Sequence, residues 1–229
     1  MSDWSINIVS EDSLLLEWDV NINENTTPSL SAKISGVSRY LRQSYEDVII
    51  NVTPAYRSTL IQFDVLKTNH QQISELIVES LTRSFDVDLP TGILHQIPVF
   101  YDSSVAADLD GICLEKNISV KELIELHTSV CYDVYVVGFL PGFAYLGYVP
   151  EQLQMQRHRS FRSNIPAGSV AVADRQTAVY PTESPGGWQV IGRTPKQLLE
   201  NYQSVLQSGD RVRFSSITQS EFLSLGGVL

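Results

Sequence analysis

Positive charge is scarce in this chain. Sixteen lysines and arginines stand against 26 aspartates and glutamates, a formal charge of −10 over 229 residues. That balance argues against sequence-blind binding to nucleic acid or to an anionic lipid surface, both of which need a basic face. Cysteine is nearly absent: Cys113 and Cys131 are the only two, which excludes a disulfide framework and suits a reducing compartment. No apolar run approaches the roughly 20 residues of a membrane-spanning helix. The most apolar stretch, Val136 to Val149, is cut by Gly138, Pro141, Gly142 and Gly147. The opening residues carry acids where a secretory signal carries positive charge, so export is not expected. The glycosylation-type triplets at Asn25, Asn51 and Asn117 then read as coincidences of composition, and the expected location is the cytoplasm.

Several signatures of self-contained chemistry are also missing. The chain has no Gly-Lys dipeptide, which rules out a phosphate-cradling loop of Walker type. His70, His95, His127 and His158 are widely spaced, with no pair at helical ligand spacing and no cysteine pair nearby, so no metal site is expected. No G-x-S-x-G elbow of a serine hydrolase occurs.

What is present is an ordinary globular composition, 43% hydrophobic and 18% charged, long enough for two domains. Residues 1–90 read as β-β-α-β-β-α. Trp4 to Val9 and Leu14 to Trp18 look extended, and a helix begins at Pro28 with Leu30, Ile34, Val37 and Leu41 on one face. Strands follow at Asp47 to Val52 and Leu60 to Phe63. A second helix opens at Thr68 with Gln71 completing a capping box, and Ile73, Leu76, Ile77 and Leu81 form its buried stripe. Two helices on one face of an antiparallel-rich sheet are expected. The linker chemistry of Asp88 to Ile93 marks the boundary.

Residues 91–229 turn into short extended pieces separated by glycine and proline, which favours a barrel or sandwich. These pieces are Ile97 to Tyr101, Tyr132 to Gly138, Ser169 to Ala173, Ala178 to Tyr180, Gln189 to Gly192 and Arg211 to Ile217. One helix interrupts them, boxed by Ser119 and Glu122, and its apolar face carries His127. A histidine placed so is either a core residue with satisfied hydrogen bonds or a base. The segment from Arg157 to Arg213 holds eight basic residues against four acidic ones, either a solvated surface or a site for a small anion. Ser184-Pro185-Gly186-Gly187-Trp188 is a turn whose paired glycines let backbone N–H groups approach a ligand. Thr194 and Pro195 read as the start of a helix whose positive end lies beside Arg193, an anion cradle unless Arg193 pairs with Asp210 or Glu183.

The blocks HTSVCYDVYVVGFLPGFAYLGYVP, FRSNIPAGSVAVA, QTAVYPTESPGGWQVIGRTP and SGDRVRF, in that order, resemble the B subunit of bacterial 5-oxoprolinase. That family is also called allophanate hydrolase subunit 1 and includes an inhibitor of a sporulation histidine kinase. The resemblance is strong from Ile97 onward and follows only the layout before it. Ala144, Ala178, Ala106-Ala107 and Gln156 depart from the family's usual prolines and glycines and affect loop geometry. The implied fold is α+β: a ferredoxin-like domain over 1–90, then a cyclophilin-like β-barrel of carboxyltransferase type over 91–229. The implied activity is ATP-dependent opening of 5-oxo-L-proline to L-glutamate, a cyclic-amidase reaction, in a complex with the 5-oxoprolinase C subunit, a related barrel, and the A subunit. Inhibition of a sensor histidine kinase is the alternative. The residues expected to meet in one pocket are His127 and Arg162 in catalysis, with Phe139, Gln176, Tyr180, Gly187 and Arg193 in substrate binding.

Overall fold

The computed structural model describes residues 4–19, 28–83 and 92–229. The chain divides into two compact units, Met1–Gly92 and Ile93–Leu229. Most of the linker stretch expected at Asp88 to Ile93 lies outside the described residues.

In the first unit, Trp4–Ser10 (β1) and Ser13–Trp18 (β2) form a hairpin, followed by Pro28–Ser44 (α1), Ile49–Pro54 (β3), Ser58–Phe63 (β4) and His70–Arg83 (α2). The sheet order is β1-β2-β4-β3 with every neighbour antiparallel. Alternation along β2 and β4 turns Leu14, Leu16, Trp18, Ile61 and Phe63 inward. There they meet Ile34, Val37 and Leu41 of α1 and Ile73, Ile77 and Leu81 of α2 in one apolar cluster. The periodicities of 2 and 3.6 thus converge on one core, as the sequence pattern requires. Helix α2 starts later than the capping box at Thr68 suggested: Asn69 Oδ1 accepts the Gln72 N–H at 3.1 Å. Asparagine is the stronger cap, and the Thr68 hydroxyl turns to the Gln72 side chain instead.

The second unit comprises Leu94–Val99 (β5), Leu109–Lys116 (α3), Val120–Thr128 (α4), Cys131–Val137 (β6), Ala144–Gly147 (β7), Arg162–Ile165 (β8), Ser169–Ala173 (β9), Gln176–Val179 (β10), Ser184–Gly186 (β11), Gln189–Arg193 (β12), Leu199–Glu200 (β13), Gln203–Ser204 (β14), Arg211–Ser216 (β15) and Gln219–Ser224 (α5). Seven strands run in the order β12-β9-β10-β7-β6-β15-β5. The sheet curls until Phe100, one residue past β5, exchanges both backbone hydrogen bonds with Arg193 at the end of β12, at 2.8 and 2.9 Å. That bridge nearly closes the barrel. Its core holds Val170, Val172, Leu146, Val134, Tyr132 and Phe214, and β9 is buried along its whole length.

The capping box at Ser119 and Glu122 is formed. Helix α3 has no counterpart in the sequence reading, because Gly111 interrupts it and Leu114 points outward at 84% exposure. No helix forms at Pro195. The Thr194 hydroxyl accepts the Lys196 N–H at 3.1 Å, and Leu198 is buried and leads directly into β13, so residues 194–198 run without a helical turn. The helix dipole expected beside Arg193 is therefore absent. No helix among the described residues is long and apolar enough to cross a membrane.

Candidate functional site

The β6–β7 connection supplies an aromatic wall. Phe139 (φ 75°) and Gly142 (φ 82°) both sit in the left-handed region, so the chain reverses tightly and the Gly138 N–H reaches the Phe143 carbonyl at 2.9 Å. Phe143 is buried while Phe139 stays 67% exposed. Phe143 meets Tyr145, Tyr180 and Trp188 edge-on at ring distances of 5.0, 5.3 and 5.6 Å. With Phe139, Phe161 and Arg157 these rings line a groove of 350 Å³, within the usual range for small-molecule sites. A side chain at Gly186 would place its Cβ 2.2 Å from the Tyr180 hydroxyl, and one at Gly187 would sit 3.0 Å from the Phe161 ring. The paired glycines thus keep the groove open. Burial raises the Tyr180 phenol, a shift opposed by the Trp188 N–H that its oxygen accepts.

Beside this groove lies a charged cluster centred on Asp108. The residue stands at the N-cap of α3, yet its side chain makes no capping bond. Instead it receives both ends of the Arg162 guanidinium, one of them at 2.5 Å, and the Val190 N–H at 2.7 Å, with His158 Nε2 at 3.1 Å. Burial works to raise the Asp108 carboxyl, but the Arg162 fork, the Val190 N–H, the guanidinium charge and His158 outweigh it and hold it below the usual carboxylate range. The cluster and the groove share a wall. Arg162 lies opposite Gly186 in the β8–β11 ribbon, the His158 N–H donates to the Gly187 carbonyl at 2.8 Å, and the charges of Arg157 and Arg162 both act on Tyr180.

On the other side of Arg162 a smaller pocket of 190 Å³ reaches Arg193. Arg193 Nη1 donates to the Val228 carbonyl at 3.0 Å, and burial lowers the proton affinity of the guanidinium. Neither Asp210 nor Glu183 is its partner: Asp210 faces His95 and Glu183 takes Asn164.

The residues expected in one hollow therefore separate. Phe139, Tyr180 and Gly187 meet in the aromatic groove, and Arg162 and Arg193 share the smaller pocket. Gln176, on β10 opposite Gly147 and Ala173, lines neither. His127 is wholly buried in the barrel core. The Tyr101 hydroxyl donates to its Nδ1 at 2.8 Å. Its Nε2 meets, at 3.0 Å, the Thr177 hydroxyl, which itself donates to the Ala171 carbonyl. Phe214 stacks on the ring at 4.6 Å, and burial pushes its pKa down to about 3. Of the two readings of this histidine, the structure selects the satisfied core residue. The sequence reading missed Asp108, Arg157, His158 and Trp188. Trp188 stood within the Ser-Pro-Gly-Gly-Trp motif. Asp108 gave no local signal, because its partner Arg162 lies 54 positions away. Among the described residues no group of three or more His, Cys, Asp or Glu side chains is placed to hold a metal ion.

The carboxyltransferase domain, subdomain C and D, family matches residues 4–206. The 5-oxoprolinase B subunit of Bacillus subtilis is 32% identical over 96% of this chain and 95% of its own. The crystal structure of TTHA0988 superimposes with a TM-score of 0.76 at 26% identity, covering 90% of this chain and 40% of that one. Kluyveromyces lactis urea carboxylase shares the fold alone, with a TM-score of 0.68 at 16% identity over 96% of this chain and 22% of that one. Given identity sustained along nearly the whole of both the Bacillus subtilis protein and this one, the chain belongs to the carboxyltransferase subdomain C and D family that includes the 5-oxoprolinase B subunits.

Proposed function

We propose that this chain is the B subunit of a cytoplasmic, ATP-dependent 5-oxoprolinase, which cleaves 5-oxo-L-proline to L-glutamate together with an A subunit and a barrel-type C subunit. Its N-terminal unit is read as ferredoxin-like, since its all-antiparallel β1-β2-β4-β3 order is the βαββαβ plan with the last strand carried to the front. The C-terminal barrel is read as cyclophilin-like.

The observation that carries the functional reading is the aromatic groove with one guanidinium at its edge. A five-membered lactam is flat and small, and its faces pack against rings such as Trp188 and Tyr145. Its carboxylate suits Arg157, whose guanidinium carbon lies 5.7 Å from the Trp188 ring centre. The present partner of Arg157 is Asp174, in an exposed pair at 3.4 Å. Such pairs are worth about 0–1 kcal/mol, so exchanging Asp174 for a substrate carboxylate costs little. In this reading Phe139, Tyr180 and Gly187 shape the groove, Arg157 is its charged edge, and the cluster of Arg162, Asp108 and His158 braces the wall behind it. ATP consumption belongs to the complex. The groove offers no glycine-lysine phosphate loop, and no step is assigned to ATP on this chain.

The test is reconstitution of ring opening from the purified components. Omitting this chain abolishes ATP-dependent turnover, and Arg157→Ala raises KM for 5-oxo-L-proline by about tenfold, the effect of losing one charge-assisted hydrogen-bonded pair. Undiminished turnover without this chain overturns the reading.

A further inference from the structure

We propose that the pocket beside the barrel closure binds a small oxyanion, a carboxylate or a phosphate, held between Ser169 Oγ and the Arg193 guanidinium. Ser169 and Arg193 are cross-strand partners in β9 and β12, so their side chains leave the sheet on the same side. Both line the 190 Å³ pocket. Ser169 is 0% exposed, yet its Oγ has no hydrogen-bond partner among the described residues, and the same holds for the buried Nε of Arg193. Buried polar atoms in native proteins are nearly always paired. Two orphaned donors side by side on the wall of one cavity mark a place for a guest that accepts from both.

The charge of the pocket points the same way. Its lining contains two arginines and no carboxylate. Arg162 is neutralised by Asp108, whereas among the described residues the Arg193 guanidinium donates to a neutral carbonyl, that of Val228, and faces no carboxylate. One positive charge is left for the guest, and an arginine fork beside a hydroxyl matches the oxygens of a carboxylate or phosphate. The volume admits a small ion and excludes a nucleotide. Exposed Ser103 and Ser104 form one rim, which leaves the pocket accessible. The geometry is held from behind: Gly168 has φ 79°, and a Cβ there would lie 2.3 Å from the Thr194 carbonyl, so the strand ends carrying Ser169 and Arg193 are pressed together.

The choice of guests rests on the 5-oxoprolinase reading, because opening a lactam with ATP hydrolysis leaves a new carboxylate and inorganic phosphate. The existence of the pocket does not. The experiment is a titration of the 229-residue chain, followed by amide and guanidinium NMR at constant ionic strength. One arm uses inorganic phosphate and the other L-glutamate. Saturable shifts at Ser169 and Arg193 in one arm identify that oxyanion as the guest. Ser169→Ala weakens binding about tenfold, and Arg193→Gln removes saturation. Both variants retain the backbone bridge between residues 100 and 193, and a thermal melt verifies that they fold. Absence of saturation in both arms, or equal responses from the wild type and both variants, overturns the proposal. Binding is read on this chain alone, so failure of the 5-oxoprolinase reading registers separately, in reconstituted turnover.

Discussion

Asp108 grips both ends of the Arg162 guanidinium and, on the same carboxylate, takes the backbone N–H of Val190 in β12. One acid therefore ties α3 to β8 and to the barrel wall that carries Trp188. Asp108→Asn cannot receive the two-pronged contact, and a half-buried arginine loses its counter-charge. Breaking a fully buried pair costs about 3–5 kcal/mol. Arg162 is partly exposed, with a third of its side chain in solvent, which reduces the expected loss to about 2 kcal/mol, read from urea unfolding. The sign with pH is fixed. The folded carboxyl lies below its unfolded value, so this stabilisation is present above the unfolded pKa and vanishes as pH falls through the depressed one. Wild-type and Asp108→Asn stabilities converge as pH falls below the unfolded carboxyl value of 3.8. A difference between them that does not shrink on acidification contradicts the assignment.

His127 titrates in the opposite chemical sense with the same outcome. It is neutral when folded, with a pKa pushed to about 3, against 6.5 when unfolded. Between those values the unfolded state binds the extra proton, so stability falls with acidification by about 1.4 kcal/mol per pH unit. His127→Gln removes that slope between pH 6 and 4, while costing about 1–3 kcal/mol at neutral pH through imperfect replacement of the bonds to Tyr101 and Thr177. Denaturant melts at half-unit pH steps measure both, and an unchanged slope refutes the buried neutral form.

Gly186→Ala forces a methyl group toward the Tyr180 hydroxyl and Ile165, at 2.2 and 2.7 Å. Overpacking of this kind costs about 1–3 kcal/mol, and the displaced ring closes the groove. A lower melting temperature together with a raised KM in the reconstituted complex is expected. A variant with wild-type melting would show that Tyr180 has room to move.

Phe139→Gly separates folding from function. The left-handed backbone of Phe139 costs a non-glycine residue about 1–2 kcal/mol, and glycine's greater unfolded entropy offsets about 0.5–1 kcal/mol of the relief. Stability is thus unchanged or slightly raised, while loss of the exposed ring raises KM severalfold. A marked fall in melting temperature would mean that this ring supports the fold rather than the groove.

The alternating and helical patterns that mark β2, β4, α1 and α4 were legible in the sequence because each is set by neighbours within a few residues. The boxed Ser119 and the stripe from Ile73 to Leu81 stand where their spacing places them. Helix α3 was hidden by Gly111 and the outward Leu114. The helix expected after Thr194 failed because burial of Leu198 and the short path to β13 outweighed a good local start signal. Motif reading found Phe139, Tyr180 and Gly187, which lie within contiguous aromatic and glycine-rich blocks. It joined His127 and Gln176 to them only by assuming that the polar groups of those blocks face one hollow.

By itself the sequence determined the α+β plan, the lack of a Walker-type Gly-Lys loop and the stretches of chain that wall the groove, because these follow from periodicity, composition and local backbone freedom. Only the tertiary structure decided which polar groups meet. Barrel closure through Phe100 and Arg193, the reach of Asp108 to Arg162 and the interment of His127 depend on strand register and curvature between residues remote in sequence, where no local preference operates.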